Sequence, residues 1–418
     1  MQVVLDSRPR TLLFLSLSLL FLIAYVVGVS CEFLADYYAS HADLRSLQAA
    51  IRLQPGNADY HHRLGRYFDL IRHDPIAAMQ AYNVAVQLNP HSVRYWLDLA
   101  AAYESLENPR ELNNALENAL HADPTTPDVA WQAANMYLVE GDIDKALREF
   151  RIVLQNDPSL SAAVLQRCWH VSPDADALLQ HLMPARTDAH IALLDLLMGK
   201  KETAAAVKVW SALVKLNQPF EPRHLFEYIK YLIAQREPDE ATHAWQKAAT
   251  LLGFASYLPS PSNLIINGDF SLGVLNGGFD WNYQRQSAVE LRLDPTELQG
   301  GHRSLSIVFD GPGVSDSGIY QFIAVQPNTT YEFSAYYKAG EMEGAGGPQF
   351  VIRDVYSGEK YLASDELKNA DFWRPITGAF TTGLDTKLLV LMVARVPEGS
   401  PIRGKLWIDN LRLAQHKN

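Results

Sequence analysis

Cysteine is scarce in this chain: Cys31 and Cys168 are the only two in 418 residues. They stand in unlike contexts, which excludes a disulfide framework, and no pair of CxxC motifs offers metal-ligand spacing. Long basic runs are missing too, and the formal net charge is -11. Duplex affinity rests on neutralising phosphates, so nucleic acid is excluded as a partner. The sequence has no GxSxG elbow, no HExxH, no P-loop and no dinucleotide fingerprint. His61 and His62 are adjacent, so they cannot both face one metal from a helix. A glycoside hydrolase would need two carboxylates facing across a cleft, and no length remains for a separate catalytic domain. The expectation is a non-enzyme, with an unrecognised site in the C-terminal domain as the alternative.

Residues 11–29 carry no charged side chain. Nineteen helical residues span roughly 28 Å, close to the hydrocarbon thickness of a bilayer. Arg8 and Arg10 precede the run, and Glu32, Asp36 and Asp43 follow it. The positive-inside rule then predicts residues 1–10 as a cytoplasmic tail, residues 11–29 as a transmembrane anchor and the rest as exported. The apolar run exceeds the core of an ordinary signal peptide. A rival reading is open: Val27-Gly28-Val29-Ser30-Cys31 resembles a loose bacterial lipobox, which would make Cys31 a lipidation site and the protein a lipoprotein.

Beyond the anchor the apolar pattern turns helical and repeats. Pro55, Pro90, Pro124 and Pro158 are spaced by 35, 34 and 34 residues. Counting back from the last three, Ala78, Leu112 and Ala146 share one position, Tyr82, Leu116 and Phe150 a second, and Ala85, Ala119 and Val153 a third. Steps of four and three put the positions on one helical face. The preceding helix repeats as Leu64-Gly65 with Phe68, Leu99-Ala100 with Tyr103, and Ala133-Ala134 with Tyr137. This resembles the tetratricopeptide repeat, or TPR, a 34-residue helix–turn–helix. Three units, residues 58–158, keep register. Ala206, Trp210 and Leu213, then Ala241, Trp245 and Ala248, extend the array to residue 253, while residues 158–187 depart from the pattern. Tyr37 to Gln54 reads as a single half-unit helix. Cys168 reads as core. The resemblance implies a superhelix over 37–253 whose concave face takes a protein partner. Polar first-helix positions such as His62, Arg66, Asn135 and Arg223 are candidates for that face.

At Gly253 the helical pattern stops. Residues 254–262 read as a linker, and residues 263–418 as short strands separated by turn signals such as Gly311-Pro312-Gly313. The segment opens Asn263-Leu264-Ile265-Ile266-Asn267-Gly268-Asp269-Phe270, passes Trp281 and Gly318-Ile319-Tyr320-Gln321, and closes Leu406-Trp407-Ile408-Asp409-Asn410. That order is similar to the jelly-roll carbohydrate-binding modules. The fold class expected is therefore multidomain: a transmembrane helix, an all-α TPR-like superhelix and an all-β jelly-roll sandwich.

A sugar site needs aromatic platforms and polar partners for hydroxyls. Trp281, Tyr283, Tyr336, Tyr356 and Trp373 are candidate platforms. Arg285 and Arg353, with Gln284 and Gln349, are candidate polar partners. Trp407 reads as core. The resemblance also implies a structural calcium near the first and last strands, with Asp409 as the final-strand acid. Ser271 stands where the opening acid is usual, and a hydroxyl is a weaker calcium ligand. No other cofactor is expected. Together these features lead us to expect a scaffold in a bacterial inner membrane, single-pass and extracytoplasmic, binding a protein and a polysaccharide in exopolysaccharide assembly or export. A purely protein-binding organiser of a membrane complex is the alternative.

Overall fold

The computed structural model describes residues 8–416; most of the expected tail, residues 1–10, lies outside them. Its helices are α1 (Arg8–Ala39), α2 (Leu44–Leu53), α3 (Ala58–Tyr67), α4 (Pro75–Leu88), α5 (Val93–Ser105), α6 (Pro109–Ala122), α7 (Pro127–Glu140), α8 (Ile143–Asn156), α9 (Ser161–Val171), α10 (Ala175–Ala177), α11 (Thr187–Lys200), α12 (Thr203–Lys215), α13 (Pro222–Ala234) and α14 (Pro238–Leu251). Two compact units divide the chain, one ending at Pro184 and one beginning at Ala185. The division falls inside the helical region, not at residues 254–262.

In the first unit, α1 is long and apolar enough to cross a membrane from Thr11 onward, and it continues unbroken to Ala39. Cys31 lies within it. The distal end of α1 is packed: Ala35 and Ala39 are buried with Ala50 and Tyr60, and the Tyr60 hydroxyl donates to Asp36 at 2.5 Å. The single helix expected over Tyr37–Gln54 is instead two. Ser40 turns its hydroxyl back to the Tyr37 carbonyl, and Asp43 restarts the chain as N-cap of α2 by accepting from Ser46 N–H, which satisfies a donor the new helix leaves free.

Three helix pairs follow, α3 with α4, α5 with α6, and α7 with α8. All nine positions of the repeat, from Ala78 to Val153, are buried. Asp74, Asn108 and Asp142 cap the second helix of each pair. Pro90, Pro124 and Pro158 each follow the C-cap residue of a second helix, Asn89, Asp123 and Asp157; proline cannot continue the helix. Gly65 lets Tyr82 seat its ring where a β-carbon would stand. The irregular stretch holds α9 and then α10, which runs into a π-helical turn at Leu178–Leu182. Cys168 is buried, and burial pushes its thiol up to about 12, so it belongs to the core.

His62 is not on an open face. It is 1% exposed, donor or acceptor to Asp98 at 2.6 Å, and stacked on Tyr95 at 4.5 Å. A histidine at a helix position shared by neighbouring pairs is drawn inward once a carboxylate and two rings await it.

The second unit begins with two more pairs, α11 with α12 and α13 with α14. Ala206, Trp210, Leu213, Ala241, Trp245 and Ala248 are all buried, and Trp210 stacks on Tyr228 at 4.6 Å. The sandwich follows as β1 (Asn282–Tyr283), β2 (Val289–Asp294), β3 (Ser304–Gly311), β4 (Asp316–Ala324), β5 (Thr330–Gly344), β6 (Gly347–Asp354), β7 (Lys360–Ala363), β8 (Ala370–Thr381), β9 (Leu388–Val396) and β10 (Ile402–Gln415). One five-stranded sheet has the order β1-β4-β9-β6-β7 and the other β2-β3-β10-β5-β8, with antiparallel pairing throughout. Alternate residues point inward: Ile319 and Ile323, Phe350 and Ile352, Leu389, Leu391 and Val393 from the first sheet meet Leu305, Ile307, Phe333 and Leu406 from the second.

Residues 254–262 are folded against both neighbours. Phe254 stacks near Phe226 and Trp245, Trp245 Nε1 donates to the Tyr257 carbonyl at 3.0 Å, and the Tyr257 hydroxyl donates to the Gly273 carbonyl at 2.7 Å. Trp245 also meets Phe279 at 6.3 Å. The aromatic set on α13 and α14 thus fills the joint with the sandwich rather than a contact with a further repeat.

Candidate functional site

The alternation that buries one side of the first sheet fixes what stands on the other. On β4 the inward residues Ile319, Gln321 and Ile323 leave Tyr320 and Phe322 outward. Gln321 is held inside by exchanging hydrogen bonds with the Ile266 backbone at 3.0 and 2.8 Å. On β9 the outward residues are Val390 and Met392, and on β6 they are Gln349, Val351 and Arg353. The register aligns them in two rows. Tyr320 pairs with Met392, and Met392 with Val351; Phe322 pairs with Val390, and Val390 with Arg353. Directly opposite residues stand close enough to form one surface.

Tyr320 and Phe322 meet edge to face at 5.3 Å. Burial raises the Tyr320 hydroxyl above its ordinary range, so it stays neutral. With Gln284 and the 354–358 turn these residues line a depression of about 540 Å³. It is an apolar, partly aromatic floor with one guanidinium, Arg353, and one amide, Gln284, at its margin. The two carboxylates there are already engaged. Asp316 accepts from Gln286 Nε2 and Gly318 N–H, and Asp354 from the amides of Tyr356 and Ser357.

Tyr356 stands at one end. The Arg236 guanidinium lies 5.6 Å from its ring centroid, and its buried hydroxyl has no hydrogen-bond partner. Burial, then the nearby Asp354 charge, pushes that hydroxyl up to about 12. Beyond Tyr356, Lys387 pairs with Asp239 of α14 at 2.5 Å. The turn between α13 and α14 therefore abuts the same loops that bound the depression.

The expected site residues divide. Arg353, Gln349, Gln284 and Tyr356 come together around this face. Trp281 does not: it is 1% exposed, stacked on Phe270 at 5.4 Å, with Nε1 donating to the Asn267 carbonyl. A ring so enclosed offers no face to a sugar. Tyr283 is 39% exposed at the edge strand, where it lines a separate cleft with Arg285 between β1 and β2. Tyr336 and Trp373 belong to the other sheet, on β5 and β8. The aromatics that line the face, Tyr320 and Phe322, are not among the expected platforms, although the alternation around Ile319, Gln321 and Ile323 is visible in the sequence.

Trp407 is also not core. Leu406 and Ile408 point in, so Trp407 points out of the second sheet, half-buried, with Lys405 Nζ 4.4 Å above its ring and its own Nε1 donating to Asp294 at 2.9 Å. The bonds from Thr296 and then Trp407 hold the Asp294 carboxyl far below the usual range.

Asp409 is fully buried, and burial raises its carboxyl. One oxygen accepts from the amides of Gln299 and Gly300, the other from Asn410 N–H. Ser271 spends its hydroxyl and amide on Asp269. Both oxygens of Asp409 are thus engaged by backbone N–H groups, and the nearby Asp269 charge adds to the upward shift of its carboxyl.

Comparison with known proteins agrees with this geometry in the C-terminal part. Residues 262–398 match the family model described as a carbohydrate binding domain. No curated protein matches the chain. A solved structure described as "CBM4 structure and function" is 17% identical, over 36% of this chain and 99% of its own, with a TM-score of 0.28. Pseudomonas aeruginosa PilF is 16% identical over 46% of this chain and 91% of its own, TM-score 0.26. YrrB, described as a TPR protein with an unusual peptide-binding site, is 14% identical over 51% and 95%, TM-score 0.25. The chain thus joins paired helices, through α14, to a two-sheet sandwich, and residues 262–398 are similar to a carbohydrate binding domain.

Proposed function

We propose that this protein is a membrane-anchored, extracytoplasmic scaffold that holds a glycan on the outer face of the first sheet and a protein partner on its helical repeats. The observation that carries the reading is the row of Tyr320, Phe322, Val390 and Met392 beside Arg353, within the segment that matches a carbohydrate-binding family. Aromatic and aliphatic side chains present a dry floor to the C–H faces of pyranose rings, while the guanidinium and amide pair with hydroxyls. The reading is of binding, not turnover. Asp316 and Asp354 are occupied by local hydrogen bonds, whereas hydrolysis needs two carboxylates free to act on one bond. Helix α1 serves as the anchor, with the array and sandwich beyond the inner membrane of a bacterium, and the bound polymer is an exopolysaccharide in assembly or export.

The test is affinity electrophoresis of the full chain in detergent through gels containing glucans, xylans or bacterial exopolysaccharides. At least one polymer should retard the wild-type chain. Tyr320→Ala and Phe322→Ala should each weaken that binding by about tenfold, the loss of one stacking contact, while Trp407→Ala on the opposite sheet should not. No retardation by any of them overturns the glycan reading.

A further inference from the structure

Away from the sandwich, three side chains converge on the first helices of the last two helical pairs. Asp195 comes from α11, His224 and Glu227 from α13. The spacing of three puts the α13 pair on one helical face. The potential ligand atoms of all three lie within 4.8 Å of one another. His224 Nδ1 is buried and has no hydrogen-bond partner, although buried ring nitrogens ordinarily find one. Among the described residues neither carboxylate is in an ion pair with a lysine or arginine; the adjacent Arg223 is turned to Glu221 at 2.7 Å. Two exposed acids and a partly buried imidazole, whose Nδ1 has no hydrogen-bond partner, therefore face one another.

We propose that Asp195, His224 and Glu227 bind a divalent transition-metal ion of the zinc class. An imidazole nitrogen with two carboxylates is a borderline donor set, which suits zinc and its neighbours and disfavours calcium and magnesium, which prefer all-oxygen shells. Zinc bonds of about 2.0–2.2 Å draw the donors together, and the two acids are exposed enough to rotate inward. Three protein ligands leave one tetrahedral position for water or for a donor on an incoming partner. The ion would also staple α11 to α13, joining two successive helical pairs.

The experiment uses the tag-free full chain in detergent, stripped of metal and titrated with Zn2+ and with Co2+, whose visible absorption reports coordination. The expected result is one saturable site, not displaced by millimolar Ca2+, with a rise in melting temperature on Zn2+ addition. His224→Ala should abolish it, and Asp195→Asn and Glu227→Gln should each weaken it more than tenfold while leaving the metal-free melting temperature unchanged. Since Asp195 and Glu227 are exposed, the latter two variants keep the test valid if His224→Ala fails to fold. Absence of a saturable site in the wild-type chain, or undiminished binding in the carboxamide variants, overturns the assignment.

Discussion

The indole of Trp245 lies against Gly278 so closely that a β-carbon on that glycine would clash with its Cζ3 edge. Gly278 also has φ of +60°, a conformation that side chains rarely adopt. One contact thus fixes both the backbone of the loop before β1 and the seat of α14 on the sandwich. Gly278→Ala should destabilise the unit by roughly 2–4 kcal/mol, and Trp245→Ala by about 3–5 kcal/mol, the range for removing a large buried aromatic. Guanidinium unfolding followed by fluorescence gives the shift. Limited proteolysis gives the location: residues 254–262 should resist cleavage in the wild type and be cut in both variants.

Asp280 is fully buried beside this joint, with one oxygen accepting from Leu275 N–H and the other without a partner. Burial pushes its carboxyl up to about 7. The folded state therefore holds the proton more tightly than the unfolded chain, whose aspartate titrates near 3.9. Stability from this group is full below about pH 4, declines as pH rises through the interval to about 7, and is flat above it, a total of at most about 4 kcal/mol. Asp280→Asn keeps the acceptor for Leu275 and removes the charge. It should erase this component of the pH dependence and raise the melting temperature at pH 8, as read by melts across pH 4–8.

His62 and Asp98 form the equivalent brace in the first unit, between α3 and α5. Asp98→Ala leaves a buried imidazole nitrogen without its partner and should cost about 1–3 kcal/mol. Asp98→Asn retains an oxygen acceptor and should cost less. Hydrogen exchange should localise the loss of protection to α3 and α5, and equal protection in the alanine variant would show the pair to be idle.

Much of the helical architecture is legible because a 34-residue period constrains many positions at once. Ala78, Leu112 and Ala146 are alike because each holds the same place in its pair, and all are buried in one core cluster. The sandwich is legible as strands for the same reason, at period two. The site is less so. Trp407 points outward because Leu406 and Ile408 point inward, a pattern plain in the sequence but overridden by the expectation that tryptophan is core. Trp281 misleads in the opposite sense: its polar neighbours Asp280 and Asn282 suggest exposure, yet Asp280 is itself buried. The joint has no local signature. Phe226, Trp245, Phe254 and Phe279 are brought together only by tertiary packing, and no spacing along the chain foretells it.

A free nine-residue tether would let its ends wander by roughly 15 Å or more. Residues 254–262 permit no such play, because their turn is bonded to Trp245 on one side and Gly273 on the other. The sheet face therefore has a set bearing relative to α13 and α14. On the glycan reading proposed above, a polymer lying along it would be aimed, not merely caught, and a pull on that polymer would reach α13 and α14 with no slack to take up.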